Sequence, residues 1–127
     1  MPSKPSAATL EAAWEIIRYY PELGWSKAAL ADYHIFLNAH AVAIFSQVLD
    51  EAELLLIATH PEHLHQGHAE ALLKKTFQQL TVKTIFLEVR ESNQAARQLY
   101  KKLGFLKAGL RKAYYRNPIE NALILKK

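Results

Sequence analysis

The sequence predicts an α/β fold in the α+β sense, with a sheet of about six strands and flanking helices. Residues 54–58 are five consecutive apolar residues, the length of a strand covered on both faces. After a break at Pro61, apolar residues recur at spacings of three and four from Ala69 to Leu80, which is typical of a helix with one buried stripe. A second strand at 84–90 and a helix from about 94 to 103 complete a strand-helix-strand-helix unit.

The remaining elements follow from local patterns on either side of this unit. Ser6 is a suitable cap for a helix that runs to about Tyr20, and Pro21 ends it. Ser26 caps a second short helix with Leu30 on its buried side. The other predicted segments are a hairpin at 34–37 and 40–48 around Asn38 and Ala39, a turn at 49–52, and two terminal strands at about 105–115 and 122–125.

Length and composition indicate one domain, residues 1–127, of the soluble globular class. Half of the residues are hydrophobic and none is cysteine, which excludes disulfide and thiolate-metal scaffolds. No segment approaches membrane-spanning length, and residues 1–6 lack a signal-peptide core, so we expect a cytoplasmic protein. The net charge of +4 suits an anionic ligand. The basic residues are scattered, and we expect no direct binding to nucleic acid or membrane.

A glycine turn separates the buried strand from the helix that follows it. Gln66, Gly67, His68 and Ala69 would place free amides and the positive end of the helix dipole at one point. Phosphate is the natural occupant of such a turn. An ordinary strand-to-helix loop is the alternative on this segment alone.

Several motifs in the second half of the chain resemble the GCN5-related N-acetyltransferase family. Residues 66–69 are similar to the end of its pyrophosphate loop. The motifs that occur in order at family spacing, and that are similar to the RimI-like ribosomal-protein-alanine branch, are Leu87-Glu88-Val89-Arg90, Ser92-Asn93, Leu99-Tyr100, Leu103-Gly104-Phe105 and Arg111 with Tyr114-Tyr115.

This resemblance implies a mixed, mostly antiparallel sheet that splays near its centre, and transfer of acetyl from acetyl-CoA to an amine. The implied acceptor is the N-terminal amine of a protein, with a ribosomal protein as the leading candidate. The family's first strand should be missing or rudimentary here, because the corresponding residues carry two prolines and no apolar alternation. Monomer and homodimer both remain open.

The resemblance also implies how the cofactor is held. The amides of Gln66, Gly67, His68 and Ala69 would hold the pyrophosphate of coenzyme A. The exposed backbone of Ile57, Ala58 and Thr59 would pair with its pantetheine arm. Leu64 stands where the motif has Arg or Gln, so we hypothesise that His65 and His68 partly replace that side chain, and that cofactor affinity falls as pH rises.

The resemblance assigns Glu88 as general base and Tyr100 as general acid. Each residue also has a structural interpretation. The structural interpretation of Glu88 is a solvent-facing carboxylate on an alternating strand, and that of Tyr100 is ordinary core packing on a helical stripe. Asn93 either caps the following helix or bonds the pantetheine arm. Direct transfer is expected, because without cysteine the usual acyl-enzyme nucleophile is missing.

Aromatic residues are the predicted substrate-binding groups. Tyr114 and Tyr115 would line the entrance for the acceptor, although neighbours in a strand face opposite sides and at least one should be structural. Tyr19, Tyr20 and Trp25 would form the opposite lip.

Histidines 60, 63, 65 and 68 lie within nine residues of sequence. We expect them to be solvated loop residues rather than metal ligands, because no carboxylate or thiolate accompanies them at matching positions. Two rival functions stay open: a small-molecule or lysine acetyltransferase, and a non-catalytic acyl-CoA-binding module.

Overall fold

A computed structural model describes residues 4–127, which form one six-stranded sheet with helices on both faces. The expectation that residues 1–6 lack a signal-peptide core concerns residues 1–3 as well, and these three lie outside the described residues. Within 4–127, no helix is long and apolar enough to cross a membrane. The elements are α1 (Ala7–Ile17), β1 (His34–Leu37), β2 (Ala41–Val48), β3 (Glu51–Thr59), α2 (His68–Gln79), β4 (Thr84–Arg90), α3 (Gln94–Lys102), β5 (Leu106–Tyr115) and β6 (Glu120–Lys126), with 3₁₀ turns at Pro21–Leu23, Ala28–Asp32 and Pro61–His63.

The strand order is β1-β2-β3-β4-β6-β5. Only β3 and β4 are parallel, because α2 carries the chain back across the sheet between them. All other neighbours are antiparallel. The predicted fold class is therefore confirmed. Among residues 4–127 no strand precedes α1, as the two prolines suggested.

The N-terminal helices are shorter than predicted. Ser6 caps α1 as expected, since its side chain accepts from the Thr9 amide at 3.2 Å. The helix ends at Ile17 rather than Tyr20, because the amides of Tyr19 and Tyr20 bond three residues back and tighten the last turn. The second helix is a 3₁₀ helix, Ala28–Asp32, whose Leu30 is buried as expected. The predicted turn at 49–52 is also shorter, and β3 starts at Glu51.

The sheet separates two apolar clusters. β2 alternates between them, with Ala43 and Phe45 facing α2 and α3 while Val42 and Ile44 face α1. Residues 41–45 of this strand are fully buried on both faces. The second cluster explains why the apolar residues of α1 and Leu30 are buried.

A β-bulge interrupts β3. Ile44 pairs with Leu56 and Phe45 with Leu54, so Leu55 is an extra residue. Residues two apart in a regular strand lie on the same face of the sheet. The bulge places Leu54 and Leu56 on opposite faces, since Leu54 belongs to the cluster under α2 and Leu56 to the cluster under α1. The prediction that this apolar run is covered on both faces is confirmed, although Leu55 and Ile57 are only half-buried.

The two central strands separate beyond this bulge. β3 and β4 pair only between residues 51–54 and 84–87. Past that point β3 continues beside β2 to Thr59, and β4 continues beside β6 to Arg90. The sheet therefore opens into a wedge, as the resemblance implied, and the β4-facing edge of residues 55–59 has no partner strand.

Candidate active site

A cleft of about 280 Å³ occupies the wedge between β3 and β4. One wall is the exposed edge of β3, and the other is the end of β4 with the start of α3. The residues that line it are Leu23, Trp25, Leu54, Leu55, Leu56, Ile57, Glu88, Val89, Arg90, Asn93, Ala96, Tyr100 and Tyr115. The structure thus brings together predicted residues from five separate segments of the chain.

Glu88 projects from β4 into this cleft. The strand alternates as predicted, with Ile85, Leu87 and Val89 buried and Glu88 on the opposite face. Its Oε1 lies 3.1 Å from Nε of Arg111, and its side chain is 21% exposed. Its Oε2 is buried and accepts no hydrogen bond from residues 4–127. One oxygen of this carboxylate is therefore held in place by Arg111, and the other is enclosed by the protein.

Sequence reasoning missed a second carboxylate, Glu53. It lines a cavity of about 250 Å³ together with Glu88 and Tyr114. Burial raises the pKa of Glu53, and the charge of Glu88 adds to the effect, while Arg111 opposes it. The available signal was an acidic residue directly before the apolar run at 54–58, but nothing local indicated that it approaches Glu88.

Tyr100 is anchored by its ring and lines the cleft. It is 7% exposed, and its ring packs at 5.7 Å from that of Phe105. Burial, with a smaller contribution from Tyr115, raises the pKa of Tyr100 to about 12. The core-packing interpretation is confirmed, and the phenol stays protonated throughout the neutral range.

Asn93 caps α3 and lines the cleft as well. Its Oδ1 accepts from the Ala96 amide at 3.1 Å, which confirms the capping interpretation. Because the cap occupies Oδ1, the side-chain amide NH₂ remains for a ligand.

Tyr114 and Tyr115 lie side by side, contrary to the expected alternation. Between Arg111 and Tyr115 the register with β6 shifts, and Ala113 has φ of +50°. This irregularity turns both rings toward Glu88, with their centres 5.1 Å apart in a T-shaped arrangement. Repulsion from the Glu88 carboxylate raises the pKa of Tyr114. The prediction that the two face opposite sides is therefore wrong.

Arg90 holds Tyr115 in position. Its guanidinium lies 4.3 Å from the centre of the Tyr115 ring and 3.3 Å from Oε1 of Glu120. It also donates to the carbonyls of Arg116 and Pro118. The Glu120 carboxylate is therefore paired with Arg90 within the fold.

The N-terminal aromatic residues occupy different places. Trp25 lines the cleft, whereas Tyr19 and Tyr20, predicted to lie beside it, are not among the lining residues. The Tyr20 hydroxyl donates to the Thr59 carbonyl at 2.6 Å, at the end of β3. Tyr19 packs its ring against His60, with centres 4.8 Å apart.

The glycine turn precedes α2 as predicted. Gly67 caps the helix with φ of +82°, and His65 also has a positive φ of +59°. The first intrahelical bond runs from the Ala71 amide to the Gly67 carbonyl, so the amides of residues 68–70 have no partner within the helix. The His68 ring contacts His40 and His63 rather than standing alone at the turn.

The acetyltransferase (GNAT) family model matches residues 7–105, which is most of the chain. The chain belongs to the GNAT family.

Individual GNAT proteins resemble the chain further. A ribosomal protein bS18-alanine N-acetyltransferase from Haemophilus ducreyi is 42% identical over 69% of this chain and 65% of that protein. One from Salmonella typhimurium is 36% identical over 87% of this chain and 83% of the relative. The crystal structure of the Escherichia coli ribosomal-protein-S18-alanine N-acetyltransferase superposes with a TM-score of 0.81 at 36% identity, covering 98% of this chain and 90% of that one.

Proposed function

We propose that this protein transfers acetyl from acetyl-CoA to the N-terminal α-amine of a protein, with Glu88 as general base and Tyr100 as general acid. The observation that carries the proposal is the wedge between β3 and β4, because a carboxylate residue, Glu88, and a protonated phenol, Tyr100, line one cleft there. Membership of the GNAT family supports the choice of donor.

The chain offers two features that fit coenzyme A. The unpaired edge of β3 at Ile57, Ala58 and Thr59 presents backbone groups that an extended pantetheine arm can pair with like an added strand, apart from the Thr59 carbonyl, which accepts from Tyr20. The free amides that follow Gly67 suit the pyrophosphate. When bound, acetyl-CoA supplies an acetyl group activated as a thioester.

The protein's part in the reaction is proton transfer and positioning. Oε2 of Glu88 takes the proton that the acceptor amine must lose, while Arg111 fixes Oε1 and so the direction of the carboxylate. The amine nitrogen forms the new bond to the thioester carbon, and the carbon-sulfur bond breaks. Tyr100 gives its proton to the departing sulfur.

The acceptor proposal combines the relatives with the cleft entrance. Both sequence relatives act on the N-terminal alanine of ribosomal protein bS18, as their names state. Trp25 and Tyr115 line the cleft, and flat aromatic side chains can pack against the first residues of a peptide without carrying charge. We therefore assign the N-terminal alanine of bS18 as the leading acceptor.

The test is acetylation of a panel of acceptors with acetyl-CoA as donor, and the products are identified by mass spectrometry. The panel contains the bS18 N-terminal peptide, the same peptide with a blocked N-terminus and one internal lysine, and spermidine. The wild-type protein should acetylate the first and leave the second unchanged. Glu88→Gln and Tyr100→Phe should each lower kcat by about 10²–10⁴-fold.

Matched controls separate chemistry from folding. Glu15→Gln removes an equal charge from an exposed salt bridge 3.5 Å from Arg18, and Tyr33→Phe removes a phenol outside the cleft. Both should retain wild-type kcat. Preference for lysine or spermidine would reject the acceptor assignment, and coenzyme A binding without turnover on any amine would reject the enzymatic proposal. Unchanged kcat in both site variants would reject the roles of Glu88 and Tyr100.

A further inference from the structure

Three histidines from separate segments meet at the β1–β2 turn, beside the glycine turn that precedes α2. His40 lies in the β1–β2 turn, His63 in the 3₁₀ turn after β3, and His68 at the start of α2. The His40 ring stacks on His63 with centres 3.7 Å apart and meets His68 at 4.5 Å. One nitrogen of each imidazole lies within 4.8 Å of the others, and all three residues are half-buried.

The backbone around these rings is already fixed. The Asn38 side chain accepts from the amides of His40 and Ala41 at 3.0 and 2.8 Å and donates to the His68 carbonyl at 2.9 Å. The His60 amide donates to the His40 carbonyl at 2.8 Å. These bonds tie all three histidine segments together, so little chain ordering remains to be done when a ligand binds.

One ring is also oriented from outside the cluster. Nε2 of His68 lies 3.1 Å from Oε1 of Gln66. An amide oxygen there selects the tautomer that carries hydrogen on Nε2 and leaves a lone pair on Nδ1. Metal-binding histidines commonly have such an outer partner on the nitrogen that does not bind the metal.

We propose that His40, His63 and His68 form a binding site for a divalent transition metal ion of the zinc class. Three imidazoles with a fourth, open position are a donor set that zinc accepts. Zn–N bonds of about 2.0–2.1 Å require nitrogens closer than the present separation. The stacked rings of His40 and His63 must therefore rotate apart when the metal binds. The adjoining cavity of about 300 Å³ leaves room for this movement and for a water in the fourth position.

A neighbouring set, His60 with Glu62 and His63, competes for His63. Nδ1 of His60 already accepts from the Glu62 amide at 3.1 Å, and its ring packs against Tyr19. Binding of a metal through His60 would disturb both contacts. The His40 ring makes no hydrogen bond within residues 4–127 that metal binding would break. The geometry therefore favours the three-histidine set. The sequence cluster at 60–68 gave no reason to expect it, because His40 is distant in the chain.

The experiment is a calorimetric titration of the full chain, produced without an affinity tag, with zinc chloride alone. One zinc should bind per chain. The same titration with cobalt(II) should give the visible absorption of a four-coordinate nitrogen site. His40→Gln, His63→Gln and His68→Gln should each weaken zinc binding at least about tenfold.

The controls are His60→Gln and the exposed His65→Gln in the same loop, both of which should keep wild-type affinity. NMR of the imidazole resonances needs no variant: zinc should shift three histidines and leave His34 and His65 unchanged. Absence of saturable binding, equal loss in His65→Gln, or selective loss in His60→Gln would each overturn the proposal. Peptide acetylation is measured separately, so failure here leaves the proposed transferase activity untouched.

Discussion

Replacing Asn38 by alanine tests how firmly the β1–β2 turn is joined to α2. The side chain makes three hydrogen bonds, two to turn amides and one to the carbonyl of His68. Each such bond contributes about 0.5–1.5 kcal/mol net. Because Asn38 is half-buried, water can partly replace the lost partners, and we expect Asn38→Ala to lower the free energy of unfolding by about 2 kcal/mol.

The assay is urea denaturation followed by circular dichroism, supported by a melting temperature that should fall by about 8 °C for a domain of this size. Asn38→Asp is the matched control. It keeps the two bonds from the turn amides and loses the donor to His68, so its loss should be about half as large. A loss below about 0.5 kcal/mol for Asn38→Ala would refute the inference that this side chain joins the two segments.

Three further predictions concern packing, the glycine turn and pH. Leu73 is fully buried, so Leu73→Ala should cost about 2–5 kcal/mol in urea denaturation, and a cost below 1 kcal/mol would contradict that packing. At Gly67 an added Cβ meets no atom within 4 Å, so Gly67→Ala should cost only the left-handed backbone, about 1–2 kcal/mol, and a larger loss would reveal a hidden contact. Hydrogen bonds from Ser92 and the Arg90 guanidinium lower the pKa of Glu120 below 4.5, so its stabilising effect is present above pH 4.5 and is lost as pH falls through the lower folded value. The stability difference between wild type and Glu120→Gln should therefore shrink in acid, and a constant difference would contradict this linkage.

Local patterns in the sequence predicted the elements well where one segment carries its own signal. The bounds of β4 agree with its alternation, and α3 was placed to within a residue by its stripe and its Asn93 cap. Local patterns did not predict that Glu88 and Tyr100 line the same cleft, because the two residues lie on separate elements. Only the resemblance to a family indicated that they meet.

The features near the site that escaped prediction depend on distant pairing. The bulge at Leu55 exists only relative to β2, and the irregularity before Tyr115 only relative to β6. No local composition specifies either one. The approach of Glu53 to Glu88 and of His40 to His63 has the same origin.

The unpaired edge of β3 has a further consequence for the protein without its ligand. Apart from the Thr59 carbonyl, which accepts from Tyr20, this edge pairs with no strand among residues 4–127, and such edges invite pairing with other extended chains. A ligand that pairs with that edge should therefore stabilise the fold, raising the melting temperature with the logarithm of its concentration relative to its dissociation constant. Under the proposed function that ligand is acetyl-CoA, and the protein without it is the less stable form.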